Sequence, residues 1–173
     1  TAKVVNFGIM YGAGPFRMSQ ELGISIKESK ELIDIYFQTY PKIKEYMENT
    51  ILFAKENGYV KTLFGRKKTV NLGDHLSVQM QKAEERALIN MPIQGTAAEL
   101  IKVAMINIFH KFKNNNLNTK MILQVHDELL FESNSNELDE VKAIIITEME
   151  GAMSLSVPLK VSCQSGDSWY EAH

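Results

Sequence analysis

The feature of the sequence that most constrains the fold is a pair of short apolar segments separated by three polar residues. Met121–Val125 and Leu129–Phe131 are rich in β-prone side chains, and they enclose His126, Asp127 and Glu128. This pattern predicts an antiparallel hairpin with the three polar residues as its connection. Because both flanking segments are apolar, we expect the hairpin to lie in a buried sheet. A carboxylate at the end of such a sheet costs desolvation free energy unless a cation compensates for it.

The acidic pair in this connection has two interpretations. Carboxylate oxygens are hard ligands that suit Mg²⁺ or Mn²⁺, so Asp127 and Glu128 are candidate metal ligands. Acidic residues are also common in ordinary solvated turns. Taken alone, the heptapeptide from Gln124 to Leu130 favours the solvated turn, because turn acids far outnumber metal sites. The choice between the two therefore depends on the rest of the chain.

The composition indicates a soluble globular chain, long enough for one domain or two small lobes. It has 173 residues, of which 45% are hydrophobic, and a formal net charge of −2. That charge does not by itself indicate a nucleic-acid-binding protein, although Arg66–Lys68 is a local basic cluster. No membrane-spanning run or signal peptide is visible, so we expect a cytoplasmic protein without a membrane partner. The single Cys163 excludes an intrachain disulfide and is expected to be a buried strand residue.

Helical patterns come first along the chain and strand patterns come later. Before the acidic hairpin, helices are predicted over residues 2–12, 16–22, 25–39, 41–57 and 75–113, the third opened by a capping box of Ser25 and Glu28. The long fifth helix is expected to kink or break near Pro92 and Gly95. A short hairpin is predicted around Gly65 and Arg66.

The end of the chain completes an α+β fold class. A helix over residues 137–153 and a strand over 159–163 are predicted after the acidic hairpin. The sequence therefore predicts a helical portion over residues 1–75, and a portion over 76–173 in which a small antiparallel sheet packs on helices. We expect the acidic hairpin and the strand containing Val161 to share one sheet, with the last two long helices on a single face of it.

The first predicted helix carries a second candidate site. Lys3, Phe7 and Tyr11 are spaced four residues apart and therefore share one helical face. A cation followed by aromatic rings suits a nucleoside triphosphate, with the ammonium on the phosphates and a ring against the base or sugar. Periodicity alone favours a buried core face with a snorkelling lysine. Gly8 inside this helix costs about 1 kcal/mol relative to alanine, which indicates close approach of another element.

Three motifs, in this order, resemble those of the family A DNA polymerases. Residues 3–12, KVVNFGIMYG, resemble motif B of the fingers helix, K-x-x-x-F-G-x-x-Y-G. Residues 85–98 resemble the E-R-x-x-x-N-x-P-x-Q-G-T-A-A stretch on the helix that faces the primer–template. Residues 125–128, VHDE, resemble motif C of the palm, and Leu63–Arg66 and Gly166-Asp167-x-Trp169 also follow the family pattern. The resemblance covers essentially the whole chain.

This resemblance implies a DNA-directed DNA polymerase, with a fingers portion over residues 1–75 and a palm portion over 76–173. It implies addition of deoxynucleotides to a primer 3′-hydroxyl with two metal ions, Mg²⁺ or Mn²⁺. The implied catalytic groups include two metal-binding carboxylates, Asp127 and Glu128. Asp127 is the implied metal ligand, and Glu128 is its neighbour at the same site. The third implied catalytic group is Lys3, which contacts the incoming triphosphate. The implied nucleotide contacts are Lys3, Phe7 and Tyr11. The implied DNA contacts are Tyr11, Gly12, Arg86, Asn90, Gln94 and His126.

The resemblance also implies partners. These are primer–template DNA, deoxynucleoside triphosphates, and the rest of the polymerase chain with motif A and the thumb. Motif A, with the second metal-binding aspartate, would precede Lys3, and the chain begins within a helical pattern and without Met. We therefore expect a piece of a longer polymerase that does not polymerise by itself.

Two other classes of function stay open at this stage. A non-catalytic nucleic-acid-binding module would use the basic groups on phosphates. Such a module gains nothing from acidic residues at a hairpin tip unless a metal ion binds there. A two-metal nuclease or phosphatase would use the same tip, but it would not need the helix face of Lys3, Phe7 and Tyr11.

Overall fold

The structure is a computed structural model that describes residues 2–73 and 76–172. Its elements are α1 (Ala2–Met10), α2 (Pro15–Leu22), α3 (Ile26–Thr39), α4 (Pro41–Asn57), β1 (Tyr59–Lys61), β2 (Lys67–Thr69), α5 (Val78–Asn114), β3 (Lys120–Val125), β4 (Glu128–Glu132), α6 (Leu138–Glu150) and α7 (Trp169–Ala172). The predicted α+β class is confirmed. Two compact units, Thr1–Thr96 and Ala97–His173, divide within α5. The predicted start of α5, His75, lies outside the described residues.

Local signals determine the ends of the first helices. The hydroxyl of Ser25 accepts a hydrogen bond from the Glu28 amide at 3.1 Å, and the Glu28 carboxylate accepts one from the Ser25 amide at 2.9 Å. This confirms the predicted capping box. Gly23 and Gly58 end α2 and α4 with φ values of +68° and +75°, a left-handed conformation that favours glycine.

The first unit contains two apolar clusters. One joins α1, α2 and α3 through the buried side chains of Ile9, Met18 and Tyr36. A Cβ on Gly8 would lie 2.7 Å from the terminal methyl of Met18, which confirms the predicted close approach at this glycine. The other cluster joins α4, β1 and α5 through their buried residues Ala54, Val60 and Leu88. Both clusters lie in the first unit, which therefore contains α1 and the part of α5 up to Thr96.

The first unit also contains the predicted short hairpin. Strands β1 and β2 pair antiparallel, with Tyr59 opposite Thr69 and Lys61 opposite Lys67. The turn between them, residues 62–66, begins at the buried Thr62. The hairpin predicted around Gly65 is therefore confirmed.

Of the kink or break expected in the fifth helix, the break is wrong, because α5 runs without interruption from Val78 to Asn114. Proline removes a backbone donor, so a helix that passes through one needs other support. Here the Tyr46 hydroxyl donates to the Ile89 carbonyl at 2.9 Å, and the Thr96 hydroxyl donates to the Pro92 carbonyl. One hydrogen bond from α4 and one within the helix thus reach carbonyls of α5 close to Pro92. No helix among the described residues is long and apolar enough to cross a membrane.

In the second unit, the acidic hairpin packs on two helices through one face. The strands β3 and β4 pair antiparallel, with Val125 opposite Glu128, so the connection is His126 and Asp127, and Glu128 already begins β4. The core joins α5 to α6 through Ile108, Phe112, Val141 and Ile145, and Met121, Leu129 and Phe131 of the hairpin pack against it. This confirms the predicted sheet on helices.

The expectation that the whole sheet is buried is wrong. Ile122 and Leu123 of β3 are 53% and 43% exposed, so the hairpin is covered on one side. An apolar segment predicts a strand, but which of its faces is covered depends on the elements that pack against it.

The strand predicted over residues 159–163 is also wrong. This segment has no strand structure, and each sheet of the described residues contains only two strands. The Val161 amide donates to the Glu150 carboxylate at 3.1 Å, and Lys160 Nζ lies 3.7 Å from the same carboxylate. Because this backbone donor is used by a side chain of α6, Val161 does not share a sheet with the acidic hairpin. Cys163 is half-buried and not in a strand.

Glu137, directly before α6, allows a test of pH-dependent stability. Its carboxylate accepts hydrogen bonds from the Asn118 backbone amide at 3.1 Å and from the Thr119 hydroxyl at 3.0 Å. The Asn118 amide bond is the largest cause that holds the pKa of Glu137 below its usual value of 4.5. A lowered folded-state pKa stabilises the fold above the unfolded pKa, and this contribution is lost as the pH falls through the folded pKa. We expect Glu137→Gln to lower the free energy of unfolding at pH 7 and to flatten its decrease below about pH 4.5.

Urea unfolding from pH 7 to pH 3 measures this effect. The matched control is Glu31→Gln, at an exposed glutamate of α3. Its pH dependence should follow that of the unaltered protein. If the Glu137→Gln protein and the unaltered protein lost stability equally in acid, Glu137 would not contribute to the pH dependence of folding.

Candidate functional site

The face of α1 predicted to bind a nucleotide is exposed. Phe7 and Tyr11 are 46% and 44% exposed, and their rings stack with centroids 5.9 Å apart and planes 24° apart. Lys3 Nζ lies 6.0 Å from the centroid of the Phe7 ring. The residue that α1 buries is Ile9, on another side of the helix. The core-face interpretation that periodicity favoured is therefore wrong, and α1 presents a cation and two stacked rings.

The end of α1 is in contact with α5. Gly12 has φ +72°, and a Cβ at this position would lie 2.6 Å from Cγ and 2.8 Å from Cδ of Arg86. The aliphatic part of the Arg86 side chain therefore packs directly on the Cα of Gly12. The resemblance implied that Gly12 allows DNA to approach, and the structure shows that it also allows Arg86 to approach.

Arg86 is followed at intervals of four on α5 by two further polar residues, Asn90 and Gln94. This polar row, Arg86, Asn90 and Gln94, lies along one side of the helix. Arg86 and Gln94 are exposed and Asn90 is half-buried.

The two acidic residues before the polar row have basic partners. Glu84 pairs with Lys68 of β2 at 2.6 Å, and Glu85 pairs with Lys55 of α4 at 3.7 Å. Each ion pair ties α5 to another element of the first unit. They leave Arg86 without an ion pair among residues 2–73 and 76–172, so its guanidinium can bind an anion.

The acidic tip of the second unit, His126, Asp127 and Glu128, is exposed. His126 has φ +54°, which is uncommon for a residue other than glycine. The Gln124 side-chain amide donates to the His126 carbonyl at 3.1 Å and supports this conformation. Non-glycine residues in the left-handed region cluster at functional sites, where their strain is offset by the surrounding structure.

The donor set of the acidic tip fits a magnesium ion that a substrate also binds. No group of three or more His, Cys, Asp or Glu side chains that could hold a metal ion occurs in the described part of the chain. Asp127 and Glu128 supply carboxylate oxygens, the ligand type that Mg²⁺ prefers. Because Mg²⁺ is usually bound by one or two carboxylates together with substrate phosphates and water, a pair of this kind suits such a site.

A pocket beside the acidic tip brings in residues that the sequence analysis did not assign to the site. It has a volume of about 340 Å³, and Lys160, Ser162 and Trp169 line it together with Asp127 and Glu128. Two sequence signals pointed to this neighbourhood: Trp169, as part of a late motif, and the strand predicted over residues 159–163 beside the hairpin. The segment does lie near the hairpin, but it lines a pocket and is not a strand of the same sheet.

The predicted site residues fall in both compact units. Lys3, Phe7, Tyr11, Gly12, Arg86, Asn90 and Gln94 lie in the first unit, and His126, Asp127 and Glu128 lie in the second. Within the first unit, the contact between Gly12 and Arg86 joins the α1 face to the polar row.

The model of DNA polymerase family A matches residues 1–171. This chain belongs to DNA polymerase family A. It is 48% identical over 170 residues to DNA polymerase I of Caldicellulosiruptor bescii, covering 98% of the chain and 20% of that protein. It is 44% identical over 172 residues to the thermostable DNA polymerase I of Thermus filiformis, covering 99% of the chain and 20% of that protein. The chain thus spans about a fifth of the length of these relatives.

A solved structure supports the same assignment. The POL domain of Pol1 from M. smegmatis, in complex with DNA primer-template and dNTP, matches with a TM-score of 0.94 and 38% sequence identity. The match covers 98% of this family A chain and 30% of the solved chain. The family that the three motifs indicated is therefore confirmed.

In this family A chain, Gly12 allows a test of the contact between α1 and α5. Gly12→Ala places a side chain at φ +72° and against the stem of Arg86, so both strain and a clash oppose it. We expect it to destabilise the fold by about 2 kcal/mol or more, since left-handed strain alone costs roughly 1–2 kcal/mol. Chemical unfolding measures the change.

Two other glycines separate the causes. Gly23 has φ +68° and open space around it, so Gly23→Ala measures the cost of backbone strain alone. Gly14 has φ −79° and also open space, so Gly14→Ala introduces neither left-handed strain nor a clash. If Gly12→Ala costs no more than Gly23→Ala, the contact with Arg86 contributes nothing to stability.

Proposed function

We propose that this chain is part of the polymerase active centre of a DNA-directed DNA polymerase. The reaction is template-directed addition of a deoxynucleotide to a primer 3′-hydroxyl. The observation that carries the proposal is the exposed face of Lys3, Phe7 and Tyr11, since a family A chain that only bound nucleic acid would not need it. The similar POL domain of M. smegmatis, which was solved with DNA primer-template and dNTP, supports DNA and nucleotides as partners.

The α1 face binds the incoming nucleotide in this proposal. The Lys3 ammonium neutralises charge on the triphosphate and can donate a proton to the leaving pyrophosphate. Phe7 packs on the sugar and base, and Tyr11 lies near the templating position. The stacking of the two rings supports these roles, because it holds both side chains in one orientation.

The polar row and His126 bind the primer–template. Arg86 can pair with a phosphate through its guanidinium, and Asn90 and Gln94 can donate to minor-groove acceptors. These acceptors occupy equivalent places in every base pair, so such contacts test the geometry of a pair without reading its sequence. A polymerase that copies any template sequence requires such sequence-independent contacts.

The acidic tip binds metal in this proposal. Asp127 and Glu128 would hold Mg²⁺ or Mn²⁺, and in the intact enzyme two such ions stabilise the attacking and leaving oxygens of the transferred phosphoryl group. One pair of carboxylates does not hold two ions, so we expect no nucleotide incorporation by residues 1–173 alone. The rest of the polymerase chain, with motif A and the thumb, completes the centre.

In this proposal residues 1–75 are a fingers portion and residues 76–173 a palm portion.

Primer extension tests the proposed reaction against its alternatives. We expect the full-length polymerase that carries this sequence to add only the nucleotide complementary to the template, and to stop when a chelator removes the metal. A binding module would retain the DNA but leave the primer unchanged, and a nuclease would shorten it. Either of those two results would refute the proposed function.

A further inference from the structure

The polar row of α5 passes directly through a proline. Pro92 has no amide hydrogen for the Leu88 carbonyl one turn earlier, and its ring crowds that carbonyl. Prolines are the commonest cause of sharp helix kinks. Arg86 and Asn90 precede Pro92, and Gln94 follows it. A hinge at Pro92 would therefore rotate Gln94 relative to the other two members of the row.

Two hydroxyl groups donate to carbonyls of α5 close to Pro92. The Tyr46 hydroxyl, from α4, donates to the Ile89 carbonyl at 2.9 Å, next to the carbonyl that lacks its proline donor. The Thr96 hydroxyl donates to the Pro92 carbonyl and accepts a hydrogen bond from the Leu63 amide at 3.0 Å. The Tyr46 phenol is protonated and able to donate at neutral pH, and burial raises its pKa further above its usual value of 10.

Packing holds the same turn from the side of the β1–β2 hairpin. A Cβ on Gly95 would lie 2.6 Å from the Thr62 side-chain methyl, so glycine is needed for this approach. Thr62 and Thr96 are 3% and 8% exposed, and the contact is therefore dry. The Thr62 hydroxyl accepts from the Arg66 amide at 3.1 Å, which holds the hairpin turn in place. We call Tyr46, Thr62 and Thr96 the Pro92 clamp.

We infer that Tyr46 and Thr96 are positioning residues for DNA binding. The Pro92 clamp supplies donors and packing where proline weakens the helix, and so keeps Arg86, Asn90 and Gln94 on one face. The clamp residues act through the polar row rather than by contact with DNA, because their hydroxyl groups are used within the protein. The inference rests on the proposed function, in which the row binds the primer–template.

Tyr46→Phe in the full-length polymerase tests the inference, because it removes one hydroxyl and keeps the ring. We expect primer–template affinity to fall about fivefold, the effect of one lost hydrogen bond transmitted to the row. We also expect extension to discriminate less between matched and mismatched primer ends. Fluorescence anisotropy and single-nucleotide incorporation measure the two. Tyr170→Phe, at a 93% exposed residue of α7, is the matched control and should change neither.

A double-mutant cycle separates positioning from general stability. If Tyr46 acts through the row, the loss of affinity in Tyr46→Phe/Asn90→Ala will be smaller than the product of the two single losses. Should Tyr46→Phe prevent folding, Thr96→Val removes the other hydroxyl with little change in shape and takes its place in the cycle. Independent, multiplicative losses, or unchanged affinity in a folded variant, would overturn the positioning role. If Asn90→Ala and Gln94→Ala themselves leave affinity unchanged, the proposed DNA contact fails instead.

Discussion

Asp127→Ala in the full-length polymerase is expected to abolish nucleotide incorporation and to leave primer–template affinity nearly unchanged. Asp127 is exposed at the tip of the β3–β4 hairpin, so its removal leaves no cavity and no unpaired buried group. A metal ligand stabilises the transition state much more than it stabilises bound DNA. We therefore expect kcat to fall by about a thousandfold or more, since a lost metal ligand costs several kcal/mol of transition-state stabilisation.

Incorporation kinetics and DNA binding on the same protein preparation decide this prediction. Asp34→Ala, at an exposed acidic residue of α3, is the matched control and should retain full activity. Near-normal incorporation by Asp127→Ala would end the catalytic interpretation of the hairpin. In the isolated chain we expect weak Mg²⁺ binding or none by titration calorimetry, because the carboxylate pair lacks substrate phosphates.

Lys3→Ala is expected to raise the KM for nucleotides or to lower kcat, by about tenfold or more, with little change in DNA affinity. The reason is that an ammonium group on the triphosphate contributes about 1.5–3 kcal/mol through charge-assisted hydrogen bonds. If Lys3 contacted only duplex phosphates, the same change would weaken DNA binding and reduce its salt dependence by about one counterion. Steady-state kinetics and anisotropy at several salt concentrations distinguish the two.

Phe7→Tyr gives an independent test of the same face. Its added hydroxyl would lie near the 3′ position of the nucleotide sugar, so we expect altered discrimination between deoxy- and dideoxynucleotides. Phe16→Tyr, at a 64% exposed ring of α2, is the control and should not alter it. Unchanged discrimination in Phe7→Tyr, together with unchanged kinetics in Lys3→Ala, would show that the exposed α1 face does not bind nucleotide.

The short elements of the first unit were predictable because their determinants are local. Ser25 and Glu28 cap α3 through each other, and Gly23 and Gly58 end helices through their own backbone conformation. Such signals act over a few residues and need no partner from elsewhere in the chain. The family, likewise, was evident from motifs that can be identified without knowing where they lie in space.

The errors all concern interactions between distant residues. The alternation of apolar residues in 159–163 correctly indicated which side chains are covered, since Leu159, Val161 and Cys163 are each half-buried while Lys160 and Ser162 are exposed. A strand also needs a neighbouring backbone, and here Glu150 binds the Val161 amide instead. The break expected at Pro92 rested on local sequence alone, whereas α5 continues through this residue and receives a hydrogen bond at Ile89 from Tyr46, 43 residues away in the sequence.

For the candidate site, residue types and spacing pointed to the acidic hairpin tip and the α1 face, and the family resemblance added the polar row. They were not sufficient to show that Phe7 and Tyr11 are exposed, that Arg86 packs on Gly12, or that Lys160 and Trp169 adjoin the acidic tip. Spacing determines which side chains share a face, because helix and strand periods are properties of the backbone. Which face is covered, and by what, depends on packing between segments far apart in the chain, and only the tertiary structure decided that.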